Sequence, residues 1–259
     1  MAGILLGYCK NMTTKDIVSI EEKNHMLSDI EKVLDQHGVI VERFPNKNLD
    51  EHLWVRDNYF VLGNTCVLCN LTINDTIGKN RSIEEKDIEN FLCERGCRTI
   101  RLPQHLLLEG GDIVSFGNHV FVGVGERTCS ESVKFLKKRF PSYEFHSIAH
   151  SDLHLDCCFA ALDDIIMYND SKILEDMGPF RELFPDVLFI NLDCIDSSSF
   201  NTNFIEYNRT IFHGEISSAV KNIFLSKKYD VIELPSINTI YREGGGIRCL
   251  TQWLPSKIG

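Results

Sequence analysis

The chain has 259 residues, 43% of them hydrophobic and 25% charged, and a net charge of −10. That composition belongs to a globular protein and excludes fibrous and disordered classes. No apolar run reaches the ~18 residues of a membrane helix, and the apolar start Ala2–Tyr8 lacks the basic flank and cleavage pattern of a signal peptide. A cytoplasmic protein with no membrane partner is expected. The acidic balance disfavours nucleic acid and suits a small cationic ligand. Ten cysteines in a reducing compartment predict free thiols, not disulfides.

In chain order, the first predicted element is a strand at Ile4–Cys9. Ser19 with Glu22 forms a capping-box signature ahead of a helix over Asn24–Gln36, closed by Gly38. Ser82 with Glu85 opens a second helix that Gly96 ends, and Ser130 caps a third, stopped by Pro141. Weaker helices run over 172–184 and 215–226. Each helix precedes a short β-prone run: Val39–Phe44, Arg98–Leu102, Tyr143–Ile148, Val187–Ile190 and Asp230–Leu234. Between these units lie strand pairs turning at Gly63-Asn64, Gly117-Asn118, Asp163-Asp164 and Asn208-Arg209. The fifth pair joins Ile247–Leu254 to the N-terminal strand. The order strand, strand, helix, strand thus occurs five times in one α/β domain spanning residues 1–259, with one face of each small sheet against its helix.

Cysteine pairs invite a zinc reading, because Cys66-x-x-Cys69 and Cys93-x3-Cys97 have ligand-like spacing. Cys66 and Cys69 lie in a β-prone apolar run, so they read as small core residues. His146-x3-His150 follows a strand rather than lying along a helix. No metal and no cofactor are assigned.

The most informative residue is Cys249, directly after Gly244-Gly245-Gly246-Ile247-Arg248. Counting back from it, polar residues recur at Asn203, Asp156 with His154, Glu109 and Asp57, at intervals of 46, 47, 47 and 52 residues. Each falls just before or at the start of the first strand of a pair. A period near 50 marks a repeat architecture, and equivalent positions in a fivefold ring converge on its axis. A thiol, an imidazole and several carboxylates would then meet one ligand. A small cationic ligand suits such a centre.

Five motifs strengthen this reading: Trp54-Val55-Arg56-Asp57, Leu108-Glu109-Gly110-Gly111-Asp112, Phe121-Val122-Gly123 with Glu126-Arg127-Thr128, His154-Leu155-Asp156, and Gly244-Gly245-Gly246 with Cys249. Together and in this order they resemble the guanidine-modifying enzymes of the pentein fold, a five-bladed α/β propeller of ββαβ repeats around an active-site channel. That group includes arginine deiminase, dimethylarginine dimethylaminohydrolase, agmatine deiminase and the amidinotransferases. The resemblance implies Cys249 as nucleophile, His154 as general acid and base, and Glu109 as the group orienting it. It implies Asp57 and Asp156 as guanidinium ligands and Arg127 as the receptor of a substrate carboxylate.

Among the relatives, His154-Leu155-Asp156 favours arginine over dimethylarginine, because the family's deiminases have aspartate there. The expected reaction is arginine deiminase-like, giving citrulline and ammonia. Alternatives are a dimethylarginine dimethylaminohydrolase, an arginine dihydrolase giving ornithine, with which Asn58 is compatible, and an amidinotransferase. A ribosome-binding protein shares the fold without catalysis, but it would lack the Cys–His–acid set. The expected partner is a small cationic guanidino substrate, and a homodimer is compatible with the sequence. The carboxylates should also raise the Cys249 pKa, with Arg248 turned to the opposite face of a strand.

Overall fold

The computed structural model describes residues 3–9, 18–44, 51–71, 82–196 and 200–255. Five three-stranded sheets repeat one plan: an antiparallel hairpin, a helix, then a third strand parallel to the second. The first repeat comprises Tyr59–Leu62, Thr65–Leu68, helix Ser82–Glu94 and Arg98–Arg101. The second is Ile113–Phe116, His119–Val124, helix Ser130–Arg139 and Glu144–Ala149. The third is Phe159–Leu162, Ile165–Tyr168, helix Gly178–Leu183 and Leu188–Asn191. The fourth is Ile205–Tyr207, Thr210–His213, helix Ser218–Ser226 and Asp230–Glu233. In the fifth, Thr251–Leu254 near the C-terminus pairs antiparallel with Gly3–Leu6, which pairs parallel with Ile40–Arg43 after helix Ile20–Gln36. The ring therefore closes by pairing the two ends of the chain, and the fold is the pentein propeller.

Side-chain alternation explains why five sheets make a closed ring. Successive residues of a strand point to opposite faces, and each middle strand is apolar on both. Val120 and Val122 enter one core while Phe121 enters the next. Ile166 and Tyr168 share the core of Phe121, whereas Ile165 and Met167 join Ile211 beyond. Phe212 then packs with Ile4 and Leu6, Leu5 with Cys66 and Leu68, and Val67 returns to the core of Val120. Five wedge-shaped cores thus alternate with five sheets. This corrects the expectation that each sheet buries one face against its own helix: the middle strands bury both faces.

Local signals fix most boundaries. The Ser19–Glu22 capping box forms, and the helix starts at Ile20, four residues earlier than the apolar pattern indicates. The third helix is capped by Cys129 without a side-chain bond, so Ser130 is its first residue and not its cap. The fourth helix is limited to Gly178–Leu183, shorter than expected, with Pro179 in its first turn. The side chain of Ser82 lies outside the described residues, so its capping role is not placed. Asn208 and Arg209 both adopt positive φ, 49° and 61°, the conformation a two-residue hairpin turn demands.

One buried ion pair braces the ring closure. Lys23, with no exposed side-chain surface, sits 3.1 Å from Glu243, immediately before Gly244. The backbone N–H of Val18 donates to the same carboxylate at 3.0 Å. Removing one partner of a buried pair leaves the other charged and desolvated. Lys23→Met should therefore cost about 3 kcal/mol, read as a lower urea midpoint with unchanged m-value.

Candidate active site

The same short device precedes the first strand of every repeat. Asp57 sits in the one-turn helix Val55–Asn58, and Glu109 caps the 3-10 turn Gly110–Asp112. His154 caps the turn Leu155–Cys157, which carries Asp156. Asn203 and Cys249 lie in turns ahead of the fourth and fifth repeats. Cys249 is thus in a turn, not early in a strand as expected, because strand pairing begins only at Thr251.

Neighbouring turns are stitched around the axis. Arg56 N–H donates to Cys249 O at 3.3 Å, and the Arg248 N–H to Asn203 Oδ1 at 2.8 Å. Thr202 Oγ1 donates to Asp156 O at 3.0 Å, and Leu155 N–H to Asp112 Oδ1 at 2.8 Å. Asp112 also accepts from Thr128 Oγ1 at 2.6 Å, so it is structural. Two glycines are required by close approach. A Cβ on Gly111 would lie 2.6 Å from His154 Cγ, and one on Gly246 would lie 2.5 Å from Asn203 Oδ1.

Two contact groups result. In the first, His154 Nε2 is 2.8 Å from Glu109 Oε2 and Nδ1 is 3.7 Å from Asp57 Oδ1. Glu109 is fully buried, and Arg127 Nη1 approaches both its oxygens at 3.4 Å. In the second, Asn203 Nδ2 donates to Cys249 Sγ at 3.1 Å. Asp156 bridges the groups: its carboxylate lies within 4.8 Å of a His154 ring nitrogen, and its charge bears on Cys249. Asp57 likewise acts electrostatically on both His154 and Cys249. Among the described residues, no hydrogen bond joins the thiol to the imidazole.

Asp156 is held by two guanidinium groups. Arg56 Nε and Arg248 Nε lie 3.0 and 3.4 Å from Oδ2, leaving Oδ1 with only a 4.0 Å contact to Cys157 Sγ. Arg248 therefore does not turn away: off a strand, the alternation rule does not apply, and it shares Asp156 with Arg56. Both arginines also line a cavity of about 430 Å³ that reaches the hairpin turns at Gly117 and Asp163.

Charge and burial set the protonation states. Burial pushes the Cys249 thiol up to about 12, with Asp156 and then Asp57 adding to it against the Gly246 N–H and Asn203 amide. The direction matches the sequence expectation, but desolvation outweighs the carboxylates. For His154, burial opposes the imidazolium and is outweighed by Asp57, the Glu109 hydrogen bond and Asp112, raising it to about 10. The resting centre thus pairs a thiol with an imidazolium.

Sequence reasoning named Asn203 as a repeat position without a role, and its contact with Cys249 supplies one. The four zinc-like cysteines form no ligand group among the described residues, and Cys66 and Cys69 are core residues.

His154 generates a prediction. Its folded pKa, about 10, exceeds the ~6.5 of an unfolded histidine. Its protonation therefore stabilises the fold fully below pH ~6.5, and that contribution fades as pH rises toward about 10. NMR titration should show this ring protonated at neutral pH, and Asp57→Asn should move its titration to lower pH.

Known proteins resemble this chain in sequence and in fold. The profile of the arginine deiminase family matches residues 8–203, which hold every candidate residue except Cys249. The uncharacterized protein YkgA of Bacillus subtilis (strain 168) is 26% identical over 266 residues, covering 96% of this chain and 90% of that protein. The N-terminal domain of ArgZ, an arginine dihydrolase from the ornithine-ammonia cycle in cyanobacteria, superposes with a TM-score of 0.79 at 21% identity, covering 99% of both chains. The chain spans 40% of full-length ArgZ. A dimethylarginine dimethylaminohydrolase superposes with a TM-score of 0.79 at 15% identity, over 97% of this chain and 99% of that one. With its repeats, its convergent turns and a profile match over most of its length, this chain belongs to the arginine deiminase family of guanidine-modifying pentein enzymes.

Proposed function

We propose that the chain hydrolyses the guanidino group of free L-arginine through a covalent intermediate on Cys249. The observation that carries this reading is a half-buried thiol under the charge of two carboxylates, one of which also neighbours an imidazolium bound to Glu109. A flat cation completes such a site. Its nitrogens pair with Asp57 and with the open Oδ1 of Asp156 through charge-assisted hydrogen bonds. Arg127, half-buried at the edge of the Glu109 cluster, is the candidate receptor for the substrate's α-carboxylate.

Each residue then has one task. The incoming positive charge offsets the negative field of Asp57 and Asp156, so the thiol releases its proton to solvent. The thiolate attacks the guanidinium carbon, with its sulfur held by Asn203. The His154 imidazolium gives its proton to the departing nitrogen, which leaves as ammonia. Sulfur now carries an amidino group. Neutral His154 takes a proton from water, hydroxide adds to the carbon, and the C–S bond breaks as the new hydroxyl passes its proton to the sulfur, returning thiol and citrulline.

A second hydrolysis, ending in ornithine, has one specific observation in its favour. Asn58 Oδ1 is buried without a hydrogen-bond partner, one residue from Asp57. In ArgZ, an asparagine-to-serine variant was captured covalently bound to a reaction intermediate. Asn58 is the candidate for such an asparagine here, with an acceptor free to hold a water or a substrate nitrogen.

Incubation with arginine, dimethylarginine and agmatine, followed by product separation, tests both readings. Arginine should be consumed, with citrulline or ornithine formed alongside ammonia. Cys249→Ser should lose at least about 10³-fold in kcat, as for removal of an essential nucleophile. Full turnover by that variant, or exclusive use of dimethylarginine, would overturn the proposal. If ornithine is the product, Asn58→Ala should shift the yield toward citrulline.

A further inference from the structure

We propose that His119, Glu144 and His146 form a binding site for a divalent transition-metal ion, on the third-strand edge of the second repeat and apart from the catalytic turns. His119 opens its strand directly opposite Glu144 on the parallel neighbour, and His146 follows two residues later. Facing partners and i, i+2 residues share one side of a sheet, so register alone gathers all three. His119 Nδ1 lies 3.0 Å from His146 Nε2 and 3.6 Å from Glu144 Oε2. Three lone-pair donors thus converge within 4.8 Å of one another.

These separations suit a small ion. Tetrahedral bonds of 2.0–2.1 Å to zinc place ligand atoms about 3.3 Å apart, between the two distances observed. Two imidazoles and one carboxylate are a borderline donor set, favouring zinc, nickel or cobalt over calcium or magnesium. The rings are also held in place. They stack at 5.2 Å, and Phe184 meets both edge-on, with Phe121 and Phe180 against His146. Such packing limits the ordering cost that exposed ligands incur on binding.

In the metal-free protein one ring nitrogen donates its hydrogen to the other. Binding requires the bridging proton to move to the other nitrogen of the same ring, a change of tautomer. The ion then ties the starts of two strands to the aromatic cluster that anchors the third repeat's helix. Metal-loaded protein should melt at higher temperature.

Cobalt titration of the EDTA-treated full chain tests this, because cobalt reports its ligands. The expected result is one equivalent bound, with visible d–d absorption and no thiolate charge-transfer band, displaced by zinc. His146→Ala should abolish that signal. Glu144→Gln, at a side chain 60% exposed and so dispensable for folding, should weaken binding by about 10-fold or more. Cys249→Ser should leave it unchanged. A thiolate band at first saturation, equal affinity in His146→Ala and Glu144→Gln, or no cobalt binding would each overturn the proposal.

Discussion

The centre depends on carboxylates gathered in a buried space, where Asp57 and Asp156 act on Cys249 and Asp57 acts also on His154. Asp57 and Asp156 both bear on Cys249, in surroundings where burial already disfavours a thiolate. Asp57, with Glu109 and Asp112, keeps His154 charged. Asp57 thus acts on both groups in one sense, raising both pKa values and leaving a thiol and an imidazolium. Arg56 and Arg248 occupy one oxygen of Asp156 and hold that buried carboxylate in place. On the proposed function, a bound cation would make recognition and activation one electrostatic event.

The fold supplies convergence rather than chemistry. Five short turns, three of them helical, meet at the axis and each contributes a residue. Hydrogen bonds between neighbouring turns tie them together. Gly111 and Gly246 leave room where a methyl group would displace the imidazole or the Asn203 amide. Because the fifth repeat is assembled from Gly3–Leu6 and Thr251–Leu254, Cys249 joins the other turns only when the ring closes. Lys23 and Glu243 add a buried charge pair at that seam.

Much of this was legible in the sequence, for reasons that are local. Capping chemistry at Ser19, turn residues at Gly63, Gly117 and Asn208, and a constant repeat length give the element order directly. The spacing of Asp57, Glu109, His154 and Cys249 encodes a shared centre because equal repeats present equal positions. Other features depend on contacts between distant segments. Arg248 was assigned to a strand face because the turn at Ile247–Leu250 leaves no compositional mark. Asn203 had no role until its amide was seen against the thiol. His119 and His146, 27 residues apart, meet through strand register that no linear spacing reveals.

The central claim is that the thiol of Cys249 ionises only when a flat cation shares its pocket. The most direct measurement is its alkylation rate against pH, in the free protein and with saturating guanidinium ion. The free protein should show a rate still climbing at the alkaline limit of its stability, with an inflection far above the ~8.5 of ordinary cysteine. Guanidinium should bring that inflection down. A thiolate already formed at neutral pH in the free protein, or an inflection that the cation leaves unmoved, would contradict the account.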